Sequence, residues 1–248
     1  MKRVLVILIA VVVIGYIILS ANYFRDSSHN RECVGFEVEI KDSLKTQFVT
    51  ALEIEALVKK HDLHPVGKTF KNINTLTIRD TIMSNRLVES AKVFITSRGT
   101  VMATVKQREP VLRVISNNEG SFYIDKDRKI MPVASSFAVY VPVATGEIDE
   151  EFAQTELYDF AMFLNNNSEW DAWVEQIVVK NSNEVELIPR AGNFRIIMGS
   201  LEDYPTKLNK FARFVDDGLN KLGWNRYSEI NLKFDNQVVC TLKKLACN

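Results

Sequence analysis

The sequence predicts an α+β protein that a single N-terminal transmembrane helix anchors in a membrane. An apolar run, Val4–Leu19, which only Gly15 and Tyr16 interrupt, opens the chain, and segments of period-2 alternation then mix with amphipathic segments of helical period. Hydrophobic residues make up 46% of the chain, which is enough to fill a core. Beyond the apolar run we therefore expect one large or two ordinary folded domains.

The apolar run reaches the length of a membrane span when it is extended to Phe24. A bilayer core of roughly 30 Å needs about 20 mostly apolar helical residues. Lys2 and Arg3 precede the run, so the positive-inside tendency keeps the extreme N-terminus in the cytoplasm and sends the rest of the chain across. A cleaved secretory signal is the alternative, although Leu19-Ser20-Ala21 is a poor match to a cleavage site.

Composition indicates no charge-based partner. Lys+Arg and Asp+Glu both number 31, so no overall field attracts nucleic acid or anionic lipid. The three cysteines, Cys33, Cys240 and Cys247, are too few for a disulfide framework, and their number is odd. One optional bridge among them stays open, and the fold should not need it.

The first domain begins after a polar linker with an alternating strand over Val34–Ile40. Thr50 and Glu53 form a capping box, which predicts a helix with a buried stripe of Ile54, Leu57 and Val58. That helix should end before His64-Pro65, because the residue before proline avoids the α region.

A second helix and a hairpin complete this domain. Asn74 or Thr75 can cap a helix that carries Ile78 and Ile82 one turn apart. Two strands follow, one with Val93 and Ile95 and one with Val101, Ala103 and Val105, and Arg98-Gly99 marks the turn between them. The order is β-α-α-β-β, with both helices on one face of a small sheet. We expect Val93, Ile95, Ile54 and Leu57 in its core.

The second domain is predicted to be rich in strands, with flanking helices. Its expected strands are Val111–Ile115, Phe122–Asp125, Lys129–Pro132, Tyr140–Val143, Trp170–Val179, Val185–Pro189, Phe194–Met198, Tyr227–Phe234 and Gln237–Leu242. One helix covers Glu147–Leu164, and another opens at Pro205 and ends at Gly223. The last two strands form a hairpin around Asp235-Asn236, and nothing predicts order in the tail.

Candidates for catalysis are few, and each has a structural explanation that we favour. His61 and His64 could share a helical face for a metal, but a third ligand is missing. Asp125 and Asp127 flank a turn, where aspartates usually bind nearby amides. Cys240 falls in a predicted strand, where a free cysteine acts as a small apolar residue. We therefore predict no enzymatic activity, no cofactor, no metal and no small-molecule substrate.

Four motifs in register give the sequence a resemblance to a known family. They are Val93-Phe94-Ile95, the segment Val105–Val111, Phe122–Asp125 followed by Pro132, and Val141–Gly146. In order and spacing behind a single anchor, they resemble the bacterial division proteins of the FtsQ/DivIB family over nearly the whole chain. Two departures are the very short cytoplasmic tail and Arg128, which replaces a glycine common in that turn.

The resemblance identifies the β-α-α-β-β unit as a POTRA domain and implies a function. It implies a non-enzymatic scaffold of the divisome, in the inner membrane at the division septum with its ectodomain in the periplasm, that binds FtsB and FtsL and helps regulate septal peptidoglycan synthesis. The alternative is a POTRA-containing protein that binds secretion or outer-membrane substrates. The expected boundaries are tail 1–3, anchor 4–24, linker 25–32, POTRA domain 33–109, β-domain 110–242 and C-terminal tail 243–248.

The principal partner site is expected at the end of the chain. A final strand tends to lie at a sheet edge, where its unpaired backbone groups can accept a strand from another protein. By resemblance, Tyr227–Leu242 corresponds to the segment that captures FtsB, with Phe234 at an aromatic contact position and Leu242 where some members carry tryptophan. The predicted binding residues are Tyr227, Ile230, Leu232, Phe234, Asn236, Val238, Val239, Cys240 and Leu242. The alternative is that this hairpin only completes the core.

Overall fold

A computed structural model describes residues 9, 11–20, 31–41, 48–133 and 139–243. The chain divides into two compact units, Met1–Gln107 and Arg108–Asn248. Residues 11–20 are helical, but no helix within the described ranges is long and apolar enough to cross a membrane. The rest of the predicted anchor, most of the linker 25–32 and most of the tail 243–248 lie outside the described residues.

The first unit is a three-stranded sheet with two helices. The sheet order is β1-β3-β2, in which β1 and β3 are parallel and β2 and β3 form the predicted hairpin. The strands are β1 Gly35–Lys41, β2 Val88–Ile95 and β3 Thr100–Gln107, the helices are α1 Ala51–Lys60 and α2 Thr75–Met83, and a short 3-10 helix covers Phe70–Asn72.

Side-chain caps start both helices of the first unit as the sequence predicts. Thr50 accepts a hydrogen bond from the Glu53 amide, and the Glu53 carboxylate accepts one from the Thr50 amide at 2.8 Å. The Asn74 side chain accepts hydrogen bonds from the amides of Leu76 and Thr77, so Asn74 rather than Thr75 is the cap of α2. Helix α1 ends at Lys60, before His64-Pro65.

The core of the first unit differs from the predicted one at three positions. Residues Ile54, Val58, Ile78, Ile82, Val88, Val101, Ala103 and Val105 are buried. Leu57 and Val93 are only half-buried and Ile95 is exposed, so their placement in the core was wrong. Both Val93 and Ile95 belong to β2, which is an edge strand with a neighbouring strand on one side only, so more of its side-chain surface is left to solvent.

The second unit contains one long mixed sheet. Among the described residues its nine strands have the order β12-β11-β10-β9-β8-β7-β4-β5-β6. The strands are β4 Pro110–Ser116, β5 Gly120–Asp125, β6 Ile130–Pro132, β7 Val143–Gly146, β8 Val174–Asn181, β9 Glu184–Pro189, β10 Arg195–Gly199, β11 Tyr227–Asn231 and β12 Val239–Leu242. The helices are α3 Glu150–Gln154, α4 Glu156–Asn166, α5 Ser168–Trp173, α6 Tyr204–Phe214 and α7 Asn220–Leu222, and a π-helical turn, Val215–Leu219, joins the last two.

Several predicted elements of this unit are wrong in their bounds. The strand expected over Tyr140–Val143 is β7, Val143–Gly146, and the last strand, expected from Gln237, begins at Val239. The expected single helix over Glu147–Leu164 is broken at Thr155, and its first part, α3, starts only at Glu150, where the Asp149 side chain caps it. The expected strand from Trp170 begins at Val174, because Asn167 accepts hydrogen bonds from the amides of Glu169 and Trp170 and so starts the short helix α5. Trp170 and Trp173, whose residue type favours strands, therefore belong to helix α5.

Aromatic side chains fill the core at the end of the sheet that carries β12. The rings of Trp173 and Trp224 stack with centroids 5.3 Å apart, and Trp173 meets Phe211 edge to face at 5.4 Å. Trp170 and Phe211 are buried. Trp170 therefore belongs to the core, and Trp173 and Trp224 pack against it. Helix α6 is thus fixed on the sheet next to β11 and β12.

Candidate partner-binding edge

Strand β12 lies at one edge of the nine-stranded sheet. It pairs antiparallel with β11, with Cys240 opposite Ile230 and Val239 opposite Asn231. Its other side has no neighbouring strand among the described residues. Along an antiparallel strand the amides of successive residues alternate between the two sides, so β12 directs every second amide away from β11. Those groups can complete a ladder with an added strand.

The opposite edge of the sheet is formed by β6, which is less suited to strand addition. It has only three residues, Ile130–Pro132, and the last of them is proline. Proline has no amide hydrogen to donate to an added strand. Between the two edges, the geometry therefore favours β12.

The predicted binding residues separate into three classes by exposure. Tyr227, Ile230 and Leu232 are buried in the core. Val238 and Cys240 are partly buried and pack against it. Phe234, Asn236, Val239 and Leu242 are exposed, with accessible fractions of 45% for Phe234, 42% for Val239 and 56% for Leu242. The structure therefore gathers the exposed members around β12, while the buried members hold β11 in place.

A lysine of α6 fixes the backbone of the segment between β11 and β12. Strand β11 ends at Asn231, earlier than the predicted Phe234, because the Asn231 side chain accepts a hydrogen bond from the Lys233 amide at 3.0 Å. Lys210 donates hydrogen bonds to the carbonyl oxygens of Leu232 at 3.1 Å and Phe234 at 2.6 Å. Asn236 has a positive φ of 58°, which asparagine tolerates better than most residues. The Phe234 ring is consequently displayed at the surface.

A groove of about 810 Å³ separates α6 from the segment before β12. It is lined by Thr206, Asn209, Lys210, Arg213, Phe214, Asp217, Asp235, Asn236, Gln237 and Val238. The groove is continuous in sequence with β12, because Val238 directly precedes that strand. Its polar lining carries both signs of charge, which suits a peptide with polar side chains better than an apolar ligand.

The contribution of α6 to this site was missed by reasoning from sequence. A signal was present, since Thr206, Lys210, Arg213 and Asp217 recur at the spacing of one helical face, opposite the apolar residues Leu208, Phe211 and Val215. That polar stripe resembles the solvent face of any amphipathic helix. Only the fold places it beside Asp235 and Gln237.

Burial is the main cause of the pKa shifts of Cys240 and Lys207. Burial raises the pKa of the Cys240 thiol, so the thiol stays protonated and unreactive at neutral pH. Burial is also the main cause that lowers the pKa of Lys207, with the nearby Lys210 charge as a second cause. Cys33 and Cys240 are both free thiols.

The remaining candidates for chemistry have structural roles. The buried Asp125 accepts hydrogen bonds from the amides of Asp127 and Lys129 and pairs with Arg108 at 2.7 Å. His64 lies 3.4 Å from a Glu55 oxygen and meets Phe36 edge to face. In the part of the chain that the structure describes, no three His, Cys, Asp or Glu residues are arranged to hold a metal ion.

This protein is of a two-unit class, in which a POTRA-like unit precedes a β-rich unit with an open edge strand. Residues 31–106 match the family model of the POTRA-like domain. Residues 109–241 match the model described as FtsQ/DivIB, C-terminal related, and the chain belongs to that family. No curated protein matches the sequence. Membership links the chain to bacterial cell division, in a family of non-catalytic division proteins.

Proposed function

We propose that this protein is a non-enzymatic, membrane-anchored scaffold of the divisome that binds a partner by adding the partner's strand to β12. The observation that supports this best is the open edge of β12 with three exposed apolar side chains, Phe234, Val239 and Leu242. Backbone pairing would supply most of the affinity, and the side chains next to the edge would supply specificity. The partner is FtsB, with FtsL in the same complex, as the family resemblance implies.

The groove beside α6 gives the partner a second contact. We propose that a strand which pairs with β12 and continues past Val238 contacts the groove, whose lining includes Asp235 and Arg213. Lys210 already uses hydrogen bonds to hold the Leu232 and Phe234 carbonyls, so the groove is formed before a partner arrives. A preformed site costs less ordering entropy on binding.

The proposal includes a single anchor at residues 4–24, with residues 1–3 in the cytoplasm and the folded units in the periplasm. The helical residues 11–20 support it, because they expose a series of apolar side chains that water would not favour. The exposed members are Val11, Val12, Val13, Ile14, Tyr16, Ile17, Ile18 and Leu19. We propose the POTRA domain at 33–109 and the β-domain at 110–242, both acting at the division septum to help regulate septal peptidoglycan synthesis.

Replacement of Phe234 tests the partner site, because its ring is exposed and Phe234 directly precedes Asp235, which lines the groove. We expect Phe234→Ala in the purified full chain to weaken FtsB binding by about thirtyfold, equivalent to about 2 kcal/mol for an interface anchor. The matched control is Leu222→Ala, which truncates an exposed apolar side chain on α7 outside the groove. Calorimetric titration of both variants gives the comparison.

Two results would count against this function. Equal loss of affinity in the Phe234→Ala and Leu222→Ala variants would mean that the effect is not local to the groove. In cells, depletion of the protein should produce filaments, and these should divide again when the native chain is restored. An envelope defect without filaments would instead support capture of secretion or outer-membrane substrates.

A further inference from the structure

We propose that one end of the POTRA-like unit docks on an anionic phospholipid surface. This end consists of residues 31–34, 66–71 and 96–99, which we call the tether-end surface. The inference rests on the proposed anchor at residues 4–24, and the bilayer in question is the one that holds that anchor. It adds to the proposed function a fixed orientation of the POTRA-like unit on the membrane.

Backbone hydrogen bonds join the three segments into one preformed surface. The Val34 amide donates to the Gly99 carbonyl at 2.9 Å, and the Cys33 amide donates to the Lys68 carbonyl at 2.9 Å. The Gly67 amide donates back to the Cys33 carbonyl at 2.9 Å, and Glu32 forms a β-bridge with Thr69. These bonds fix the relative positions of the side chains without any partner.

The tether-end surface has a local excess of positive charge. Its charged residues are Arg31, Lys68, Lys71 and Arg98 against the single carboxylate Glu32. Over the described residues none of the four cations forms an ion pair, and the Lys68 ammonium donates only to the Asp62 backbone carbonyl at 2.8 Å. The whole chain has a formal net charge of zero, so this excess is local and does not reflect the overall charge. Anionic headgroups would neutralise it.

Exposed apolar side chains lie among these cations. Val34 is 70% exposed and Val66 is also exposed. Val34 and Phe70 flank the turn at Gly99, where an added Cβ atom would lie 3.6 Å from Val34 and 3.9 Å from Phe70. Apolar side chains rimmed by Lys and Arg are the combination that binds the interface of an anionic bilayer, because the apolar groups enter the headgroup region while the cations meet phosphate.

The length of the connecting chain keeps this surface near the bilayer. Residues 25–30 join Phe24 to Arg31, and a stretch of that length reaches at most about 25 Å. Strands β1 and β3 both start at this end of the sheet, since Gly35 pairs with Thr100. The far end of the sheet, with Gln107 and the start of α1, lies about 23 Å further along a strand of seven residues. The tether therefore presents this end to the lipid first.

Tryptophan quenching by brominated phospholipids tests the proposal in the full chain reconstituted into liposomes. Val34→Trp places a reporter on the tether-end surface, and Leu52→Trp places one at the opposite end of the unit, where Leu52 is 78% exposed. Relative to the native chain, which supplies the background of its own three tryptophans, we expect quenching at position 34 and none at position 52. Quenching should require phosphatidylglycerol. It should weaken in 0.5 M salt, where the Debye screening length is only about 4 Å.

Charge reversal gives the second arm of the test. Adding Lys71→Glu and Arg98→Glu to the Val34→Trp chain should reduce the equilibrium constant for docking by at least about thirtyfold, because each basic side chain near an anionic surface contributes about fivefold. Equal quenching at positions 34 and 52 would overturn the docking. Quenching of equal strength with and without anionic lipid would also overturn it. A chain that leaves the liposomes on flotation would overturn the anchor as well, whereas a chain that floats unquenched would overturn the docking alone.

Discussion

Asp125 illustrates how one buried carboxylate determines a turn. One carboxylate oxygen accepts hydrogen bonds from the Asp127 amide at 2.9 Å and the Lys129 amide at 2.7 Å, while the other pairs with Arg108. The side chain is almost fully buried. Such a carboxylate satisfies two amides of the β5–β6 turn and pairs with one cation at once, so its loss removes the acceptor of both amides and one ion pair.

Asp125→Ala should destabilise the second unit by about 3–5 kcal/mol, the usual cost of removing one member of a buried ion pair. Asp125→Asn should cost less, because the amide oxygen still accepts the turn hydrogen bonds. Asp127→Asn is the matched control, since Asp127 is exposed in the same turn, and it should change stability by less than about 0.5 kcal/mol. Urea unfolding followed by tryptophan fluorescence measures all three. Equal stability of the Ala variant and the control would contradict this role.

By the family resemblance, glycine is expected at the position of Arg128, and the structure shows how an arginine is accommodated there. Its φ of 62° lies in the left-handed region, which is costly for a residue with a Cβ atom. The guanidinium compensates with contacts to the helical layer, since it lies 4.2 Å from the centroid of the Tyr158 ring and donates to the Gln154 carbonyl at 2.9 Å. Asp159 is its ion-pair partner.

Helix α1 shows which parts of an element can be predicted locally. Its capping box and the buried positions Ile54 and Val58 follow directly from spacing, since both depend on residues within one turn. Leu57 is only half-buried because it lines a shallow depression between α1 and the end of α2, with Ser84 and Asn85 on the far side. The periodicity of α1 alone does not show where α2 ends.

Ile54→Ala should destabilise the first unit by about 2–5 kcal/mol, because Ile54 is completely buried and the variant leaves a cavity. Leu57→Ala should cost less than Ile54→Ala. Leu52→Ala on the same helix is the control, and its exposed side chain predicts a change below about 0.5 kcal/mol. Circular dichroism during denaturation supplies the three values. A cost at Leu52 equal to that at Ile54 would show that the packed face of α1 has been assigned incorrectly.

Most helices and strands of both units could be predicted from the sequence, because alternation and caps are local signals. Helix α5 could not, since Trp170 and Trp173 favour a strand by propensity and the Asn167 cap competes with that preference. The exposure of Ile95 was also hidden, because it depends on β2 being an edge strand. At the candidate site, alternation and chain order pointed to the last strand, but burial of Tyr227, Ile230 and Leu232 required the sheet order.

At the scale of the whole molecule, the arrangement of the sheet decides where a partner can bind. Among the described residues, seven of the nine strands in the order β12 to β6 are internal and β6 ends in proline, so β12 remains as the open edge. The aromatic cluster of Trp173, Phe211 and Trp224 holds α6 against this end of the sheet. The edge strand and its groove are therefore supported by the core of the unit.

Proline substitution at Val239 and at Cys240 measures strand addition most directly, with FtsB affinity and melting temperature recorded for each full-length variant. Because neighbouring amides of β12 point to opposite sides, one variant removes an amide that faces β11 and the other an amide that faces the partner. We expect the outward-facing variant to keep a near-native melting temperature and to lose FtsB binding. A proline variant that melts like the native chain and binds FtsB with native affinity would contradict it.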